Sequence, residues 1–134
     1  METVKIEYIG QLRTSCTHLK SGQQIITDAP TDNNGKGEAF SPTDLLATSY
    51  GACMLTIIGI YCDKNGLNFE NGEVGVTKIM AADPRRVSSL EINLRLGGNG
   101  WTEVDQKKVI AAAKACPVAK SVSEAMEIKL NFEF

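Results

Sequence analysis

Apolar positions follow two rhythms along this chain. The first is a long stretch, residues 45–61, without a single charged side chain and with few polar ones (Thr48, Ser49, Thr56). With no charged stripe to turn toward water, it predicts a core helix covered on most sides. Its start is marked by Ser41 as N-cap, Pro42 at the first helical position and Asp44 three residues after the cap. Asn65-Gly66 marks the end, with Lys64 in the last turn. On a 3.6-residue period Leu46, Tyr50, Cys53, Ile57 and Ile60 share one face, so the Cys53 thiol should look onto an apolar, partly aromatic surface. Gly51 and Gly59 predict the close approach of another backbone, which would offset a helix cost of about 1 kcal/mol each. The apolar run is too short and too interrupted for a membrane span, which needs about 20 mostly apolar residues.

The second rhythm has period two. Residues 4–8 alternate apolar and charged side chains, as in a half-buried strand. Residues 13–19 are less regular, but Ser21-Gly22 followed by residues 23–27 predicts a hairpin return, so three antiparallel strands come first. Residues 28–37, with Pro30 and Asn33-Asn34-Gly35, form a mobile loop that leads to the core helix. A second β region covers residues 73–81 and, after a turn at 83–86, residues 90–96, where alternation is strict and one face is all aliphatic. Gly97-Gly98-Asn99-Gly100 then reads as a flexible turn. It is no phosphate-binding fingerprint, because Glu103 stands where the last glycine should be.

A second helix, capped by Thr102 with Glu103 and Asp105 in its first turn, runs toward Ala115. It must break or kink at Cys116, since Pro117 would collide with the carbonyl four residues back. Pro117 suits the start of a new helical piece over residues 118–122, which makes Cys116 an N-cap-like residue with a depressed thiol pKa. Residues 127–134 alternate as a final strand.

The expected architecture is therefore α+β, one domain over residues 1–134: three strands, core helix, two strands, kinked helix, final strand. A single copy leaves the core helix short of cover, which predicts a homodimer built around it. At 134 residues, 43% hydrophobic and 22% charged, the chain can bury a sizeable core. A net charge of −2, a pI near 5.4 and the lack of a Lys/Arg run argue against nucleic acid or an anionic membrane as partner and favour a small neutral or apolar ligand. No secretory signal is visible at Met1-Glu2-Thr3-Val4, so the expected compartment is the cytoplasm, where the four cysteines would be thiols. Cys16 and Cys62 read as structural. Cys16-Thr17-His18 offers two metal ligands but no second pair at finger-like spacing, so no metal is expected. His18 is the only histidine, which disfavours Cys–His catalysis unless it lies beside Cys53.

Ser41-Pro42-Thr43-Asp44-Leu45-Leu46-Ala47, Gly51-Ala52-Cys53-Met54 and Cys116-Pro117-Val118 together resemble the OsmC/Ohr family of osmotically inducible and organic hydroperoxide resistance proteins. The resemblance covers nearly the whole chain, including the order of strands and helices. It implies an intertwined homodimer and a thiol-dependent peroxidase of organic hydroperoxides, without metal or organic cofactor, re-reduced by a dithiol such as a lipoylated protein. It makes Cys53 the peroxidatic and Cys116 the resolving cysteine, with Tyr50, Met54 and Ile57 at the substrate pocket. Arg13 best matches the family arginine that counters the rise in thiol pKa caused by apolar surroundings, with Arg85 and Arg86 as substitutes. In the family a glutamate in a Pro-Glu-x-Leu stretch holds that arginine; here the position is Thr43, followed by Asp44. Either Asp44 serves only as the helix-start carboxylate, or Glu38 reaches in from the loop. This departure points to the broader OsmC-like branch, and leaves as the alternative a non-catalytic dimer that binds a small apolar ligand or acts as a stress-linked scaffold.

Overall fold

The structure is a computed structural model that describes residues 1–134. The chain divides into two compact units, residues 1–46 and 47–134, with the long helix beginning in the first and continuing in the second. The fold is α+β, with two three-stranded sheets and two α-helices.

In the first unit β1 (Val4–Gly10), β2 (Arg13–His18) and β3 (Gln24–Asp28) form an antiparallel meander in the order β1-β2-β3. The Gly10–Gln11–Leu12 turn joins β1 to β2 with all three residues at positive φ, two of them not glycine. Register places Arg13 directly opposite Asp28. Val4, Ile6 and Tyr8, expected to be half-buried, are exposed, as is Ile25 on β3. Lys5 and Glu7 on the opposite face are exposed too, so neither face of β1 is covered within the chain. The loop after β3 is tied and not loose. Asp28 N–H donates to Phe40 O at 3.0 Å, Gly37 N–H to Ala29 O at 3.2 Å and Gly35 N–H to Pro30 O at 2.9 Å, around a 3-10 turn at Thr31–Asn33.

Helix α1 (Pro42–Asn65) opens on a reciprocal cap: Asp44 N–H donates to Ser41 Oγ at 3.1 Å and Ser41 N–H to Asp44 Oδ2 at 3.0 Å. It closes at Gly66, in the left-handed region at φ +65°, with Leu67 N–H bonded back to Cys62 O at 2.9 Å. Its 24 residues run between the expected start and end, and by length and composition it could cross a membrane. What it does in this fold is pack. Ala47, Tyr50, Gly51, Met54, Ile58 and Cys62 form the buried stripe, while Leu46 and Ile60 are exposed and Cys53 and Ile57 flank it. The buried face is therefore rotated from the expected one, because Gly51 rather than a large side chain sits at the closest approach. A Cβ there would meet Val76 Cγ2 at 2.9 Å and Val74 Cγ1 at 3.2 Å. Gly59 plays no such part, its nearest neighbour being Phe69 at 3.9 Å.

The second sheet runs β4 (Glu73–Ala81), β5 (Arg86–Arg95), β6 (Glu127–Glu133), with β4 antiparallel and β6 parallel to β5. The aliphatic face of β5, continued by Leu96, is fully enclosed, and Leu90, Ile92, Leu94 and Leu96 make the core with the α1 stripe and with Val109, Ala113 and Cys116. Residues 97–100 are a built junction and not a flexible turn. The buried Asn99 accepts from Glu70 and Asn71 N–H at 3.0 Å each and donates to Asn71 O and Leu96 O at 2.8 Å each. Helix α2 (Glu103–Lys114) begins on a capping box between Thr102 and Asp105. It ends at Lys114, with Ala115 as its C-cap, and does not continue bent. Beyond Pro117 the chain makes a turn, where Ser121 Oγ donates to Pro117 O at 2.7 Å and Ala125 N–H turns to Ser123 Oγ at 3.1 Å, so serine bonds compete with a new helical piece.

Gly51→Ala should destabilise the protein by about 1–3 kcal/mol, since neither valine can retreat freely, whereas Gly59→Ala should stabilise it by up to about 1 kcal/mol. Asn99→Ala should cost about 2–4 kcal/mol through lost bonds and orphaned backbone groups. Chemical denaturation of the three variants checks each sign.

Candidate functional site

The second unit brings together the two cysteines that the sequence separates. Cys53 stands half-buried at the margin of the α1 stripe, and Cys116 is fully buried where α2 ends. The two free thiols are neighbours close enough to hydrogen-bond to each other. Two local features put Cys116 there. Ala113 O accepts its N–H at 3.3 Å as the last helical bond, and Pro117 turns the chain directly afterwards.

The turn also engages the sulfur: Ala119 N–H donates to Cys116 Sγ at 3.3 Å, and Val118 N–H bears on it as well. Such donors favour the thiolate, as an N-cap position should. The net effect is nonetheless the reverse of the expected depression. Burial pushes the Cys116 thiol pKa up, the backbone donors offset only part of this, and hydrogen bonding and charge from Cys53 add to the rise. Cys116 is thus a thiol held neutral beside Cys53.

Tyr50 lies one turn before Cys53 on α1, nearly enclosed, with its pKa raised first by burial and then by the charges of Cys116 and Cys53. It therefore lies near both thiols. Met54 is enclosed in the core and Ile57 is half-buried beside it. Cys62 is buried far along α1, its thiol pKa raised chiefly by burial and further by Asp63 and Asp105. Cys16, on β2, lies 3.6 Å from Thr14 Oγ1, and His18 Nδ1 lies 2.6 Å from Ser21 Oγ. No three His, Cys, Asp or Glu side chains gather as metal ligands would.

The first unit holds the arginine. Arg13 Nη2 donates to Asp28 Oδ2 at 3.2 Å and to Glu38 Oε2 at 2.9 Å. Glu38 does reach in from the loop, while Asp44 serves the helix cap and Thr43 Oγ1 lies 3.2 Å from Ser41 Oγ. Asp28 is the residue that sequence reasoning missed. It is completely buried, and its carboxyl is held below the usual range first by the Glu38 N–H, at 3.0 Å, and then by Arg13, against the opposing effect of burial. Both carboxylates in turn raise the Arg13 pKa. The signal was available: a hairpin that pairs Thr17 with Gln24 also pairs Arg13 with Asp28. Arg86 donates to the carbonyls of Ala82 and Pro84 in its own turn, at 3.0 and 2.9 Å.

Residues 35–131 match the family model described as OsmC-like protein. Among solved structures, a protein from Psychrobacter arcticus 273-4 described as an osmotic stress induced and detoxification response protein is 50% identical, with 99% of this chain and 96% of that one covered and a TM-score of 0.94. The organic hydroperoxide resistance protein OsmC of Legionella pneumophila, at 17% identity with 100% and 98% covered, shares the fold with a TM-score of 0.77. OhrB of Bacillus subtilis, at 15% identity with 98% of each chain covered, does so at 0.71. No curated protein matches the chain. These likenesses show that the chain belongs to the OsmC family.

Proposed function

We propose that this protein is a thiol peroxidase that reduces organic hydroperoxides, with Cys53 as the attacking thiol and Cys116 as the resolving one. The observation that carries the reading is the adjacency of the two free thiols, one half-buried and one enclosed. The Cys53 thiolate attacks the hydroperoxide O–O bond, the alkoxide leaves and takes a proton to become the alcohol, and Cys53 becomes a sulfenic acid. The Cys116 sulfur then displaces hydroxide, which departs as water with the Cys116 proton, and a disulfide forms. A dithiol reductant restores both thiols and is itself oxidised to a disulfide. No atom in this cycle requires a metal or an organic cofactor.

The apolar surroundings of the pair, with Tyr50 near both sulfurs and Met54 and Ile57 on the same helix, favour an organic over a fully polar peroxide. Arg13, fixed by two carboxylates, is the proposed cation that favours the attacking thiolate. The raised Cys116 pKa fits a resolving role: a neutral thiol does not compete for peroxide, and it becomes reactive only toward the sulfenic acid beside it. We place the protein in the cytoplasm as a homodimer, a second copy covering the exposed Val4, Ile6, Tyr8 and Ile25.

One equivalent of cumene hydroperoxide, added without reductant, should remove two hydrogens from the intact mass and leave a Cys53–Cys116 link in the peptide map. Four unchanged thiols, or full peroxidase activity in Cys53→Ser, would sink the reading. In that same variant, Cys116 should react slowly with iodoacetamide at neutral pH. Its rate should climb only above the ordinary thiol pKa of about 8.5, because a raised pKa withholds the thiolate until the solution is more alkaline.

A further inference from the structure

The two sulfurs of the pair are not equivalent. Cys53 is half-buried, whereas Cys116 is 0% exposed. Once linked, they offer a reductant only the Cys53 side, because thiol–disulfide exchange requires the attacking sulfur to reach one of the two bonded ones. Their surroundings differ as well. Cys53 stands in the interior of α1, where each backbone N–H is spent on the carbonyl four residues back, so its own helix has no amide to give its sulfur. Cys116 lies past the end of α2, and the turn that follows aims an amide at it: Ala119 N–H donates to Cys116 Sγ at 3.3 Å.

That donor is held by bonds that do not involve the sulfur. Lys120 N–H donates to Cys116 O at 3.3 Å, Ser121 N–H to Val118 O at 3.0 Å and Ser121 Oγ to Pro117 O at 2.7 Å. Val118, Ala119 and Val122 pack against the core. The amide is therefore in place before any charge appears on the sulfur, and such a bond strengthens when its acceptor becomes an anion. Two of the influences that raise the Cys116 pKa, hydrogen bonding and charge from Cys53, last only while Cys53 is a free thiol. Bonded to another sulfur, Cys53 has no proton to share and no charge to bear. Burial is then opposed by the Ala119 and Val118 donors, with nothing from Cys53 to assist it.

We propose that the dithiol reductant attacks Cys53 and that Cys116 is the leaving sulfur, received by the Ala119 N–H. This rests on the peroxidase reading, in which the two cysteines are linked after each turnover. The reductant's first thiolate bonds to Cys53 Sγ, the Cys53–Cys116 bond breaks, and its electron pair goes to Cys116 Sγ, which takes up the proton that the reductant's thiol gave up. The reductant's second thiolate then attacks the reductant sulfur bonded to Cys53. The electron pair of that bond and a second proton return to Cys53, and the reductant leaves as a cyclic disulfide. Two electrons and two protons pass from dithiol to protein. Cys53 thus meets both peroxide and reductant, and Cys116 meets neither.

For the test, the link is made with diamide, a general thiol oxidant, so that peroxide plays no part. The oxidised protein is mixed with 2-mercaptoethanol, quenched in acid at early times and peptide-mapped without reduction. The mixed disulfide should sit on Cys53 in roughly tenfold excess over Cys116. An even distribution, or an excess on Cys116, overturns the proposal. Ala119→Pro, which removes the N–H, should slow this first exchange relative to Ala119→Gly, which keeps it; equal rates overturn the role of Ala119. If Ala119→Pro does not fold, peptide-resolved alkylation of Cys116 against pH decides that role. Cys116 should titrate at lower pH in Cys53→Ala than in the wild type, since the raising influence of Cys53 is gone while the amides stay. Tyr50, the other titratable group near Cys116, is common to both proteins. An unchanged or higher titration overturns the proposal. A link formed by diamide but not by cumene hydroperoxide would sink the peroxidase reading alone, and no link with either oxidant overturns both.

Discussion

Everything in the second unit depends on one packing contact, the seating of the α1 stripe against the aliphatic face of β5. Leu90, Ile92, Leu94 and Leu96 present a fully enclosed surface, and Ala47, Tyr50, Met54 and Ile58 meet it. Burying a large aliphatic side chain contributes about 1.5–3 kcal/mol, so the contact fixes the rotation of the helix more strongly than any polar bond along it. Cys53 then falls at the margin of the stripe, where the end of α2 delivers Cys116. The sulfurs meet because two helices share one sheet.

The two halves of the proposed chemistry are held by opposite means. The thiols sit in apolar surroundings that penalise charge, and the backbone donors at Cys116 do not overcome that penalty. The arginine is held by charge and by strained backbone, with a fully buried carboxylate at its centre. Packing sets where a whole element sits, whereas charge-assisted bonds set where a single group points. It is reasonable that the group whose orientation matters is the one held electrostatically.

Much of this was legible from residues alone. Strict alternation over residues 90–96, the Ser41–Asp44 cap, the Asn65-Gly66 stop and the Thr102 cap are local signals, and local physics made each of them. The errors arose where two local preferences competed and distance decided. The buried face of α1 was misplaced because periodicity counts large side chains, while the tightest contact is made by Gly51, which has none. The Cys116 pKa was misjudged because a sequence displays the cap but not the depth of burial. Asn99 was read as part of a slack glycine run, since its four partners lie on a distant turn and at the end of β5. Asp28 went unnoticed because nothing in its neighbourhood announces a partner fifteen residues earlier; only strand register does.

Gly51 has one more effect. It lies two residues before Cys53, and its missing methyl is what lets the middle of α1 settle onto Val74 and Val76. The depth at which the sulfur rides is therefore governed by a neighbour's hydrogen atom. Any larger group there would jack the helix outward and lift the thiol away from its companion, so the reach between the two sulfurs is gauged by the thickness of a single carbon.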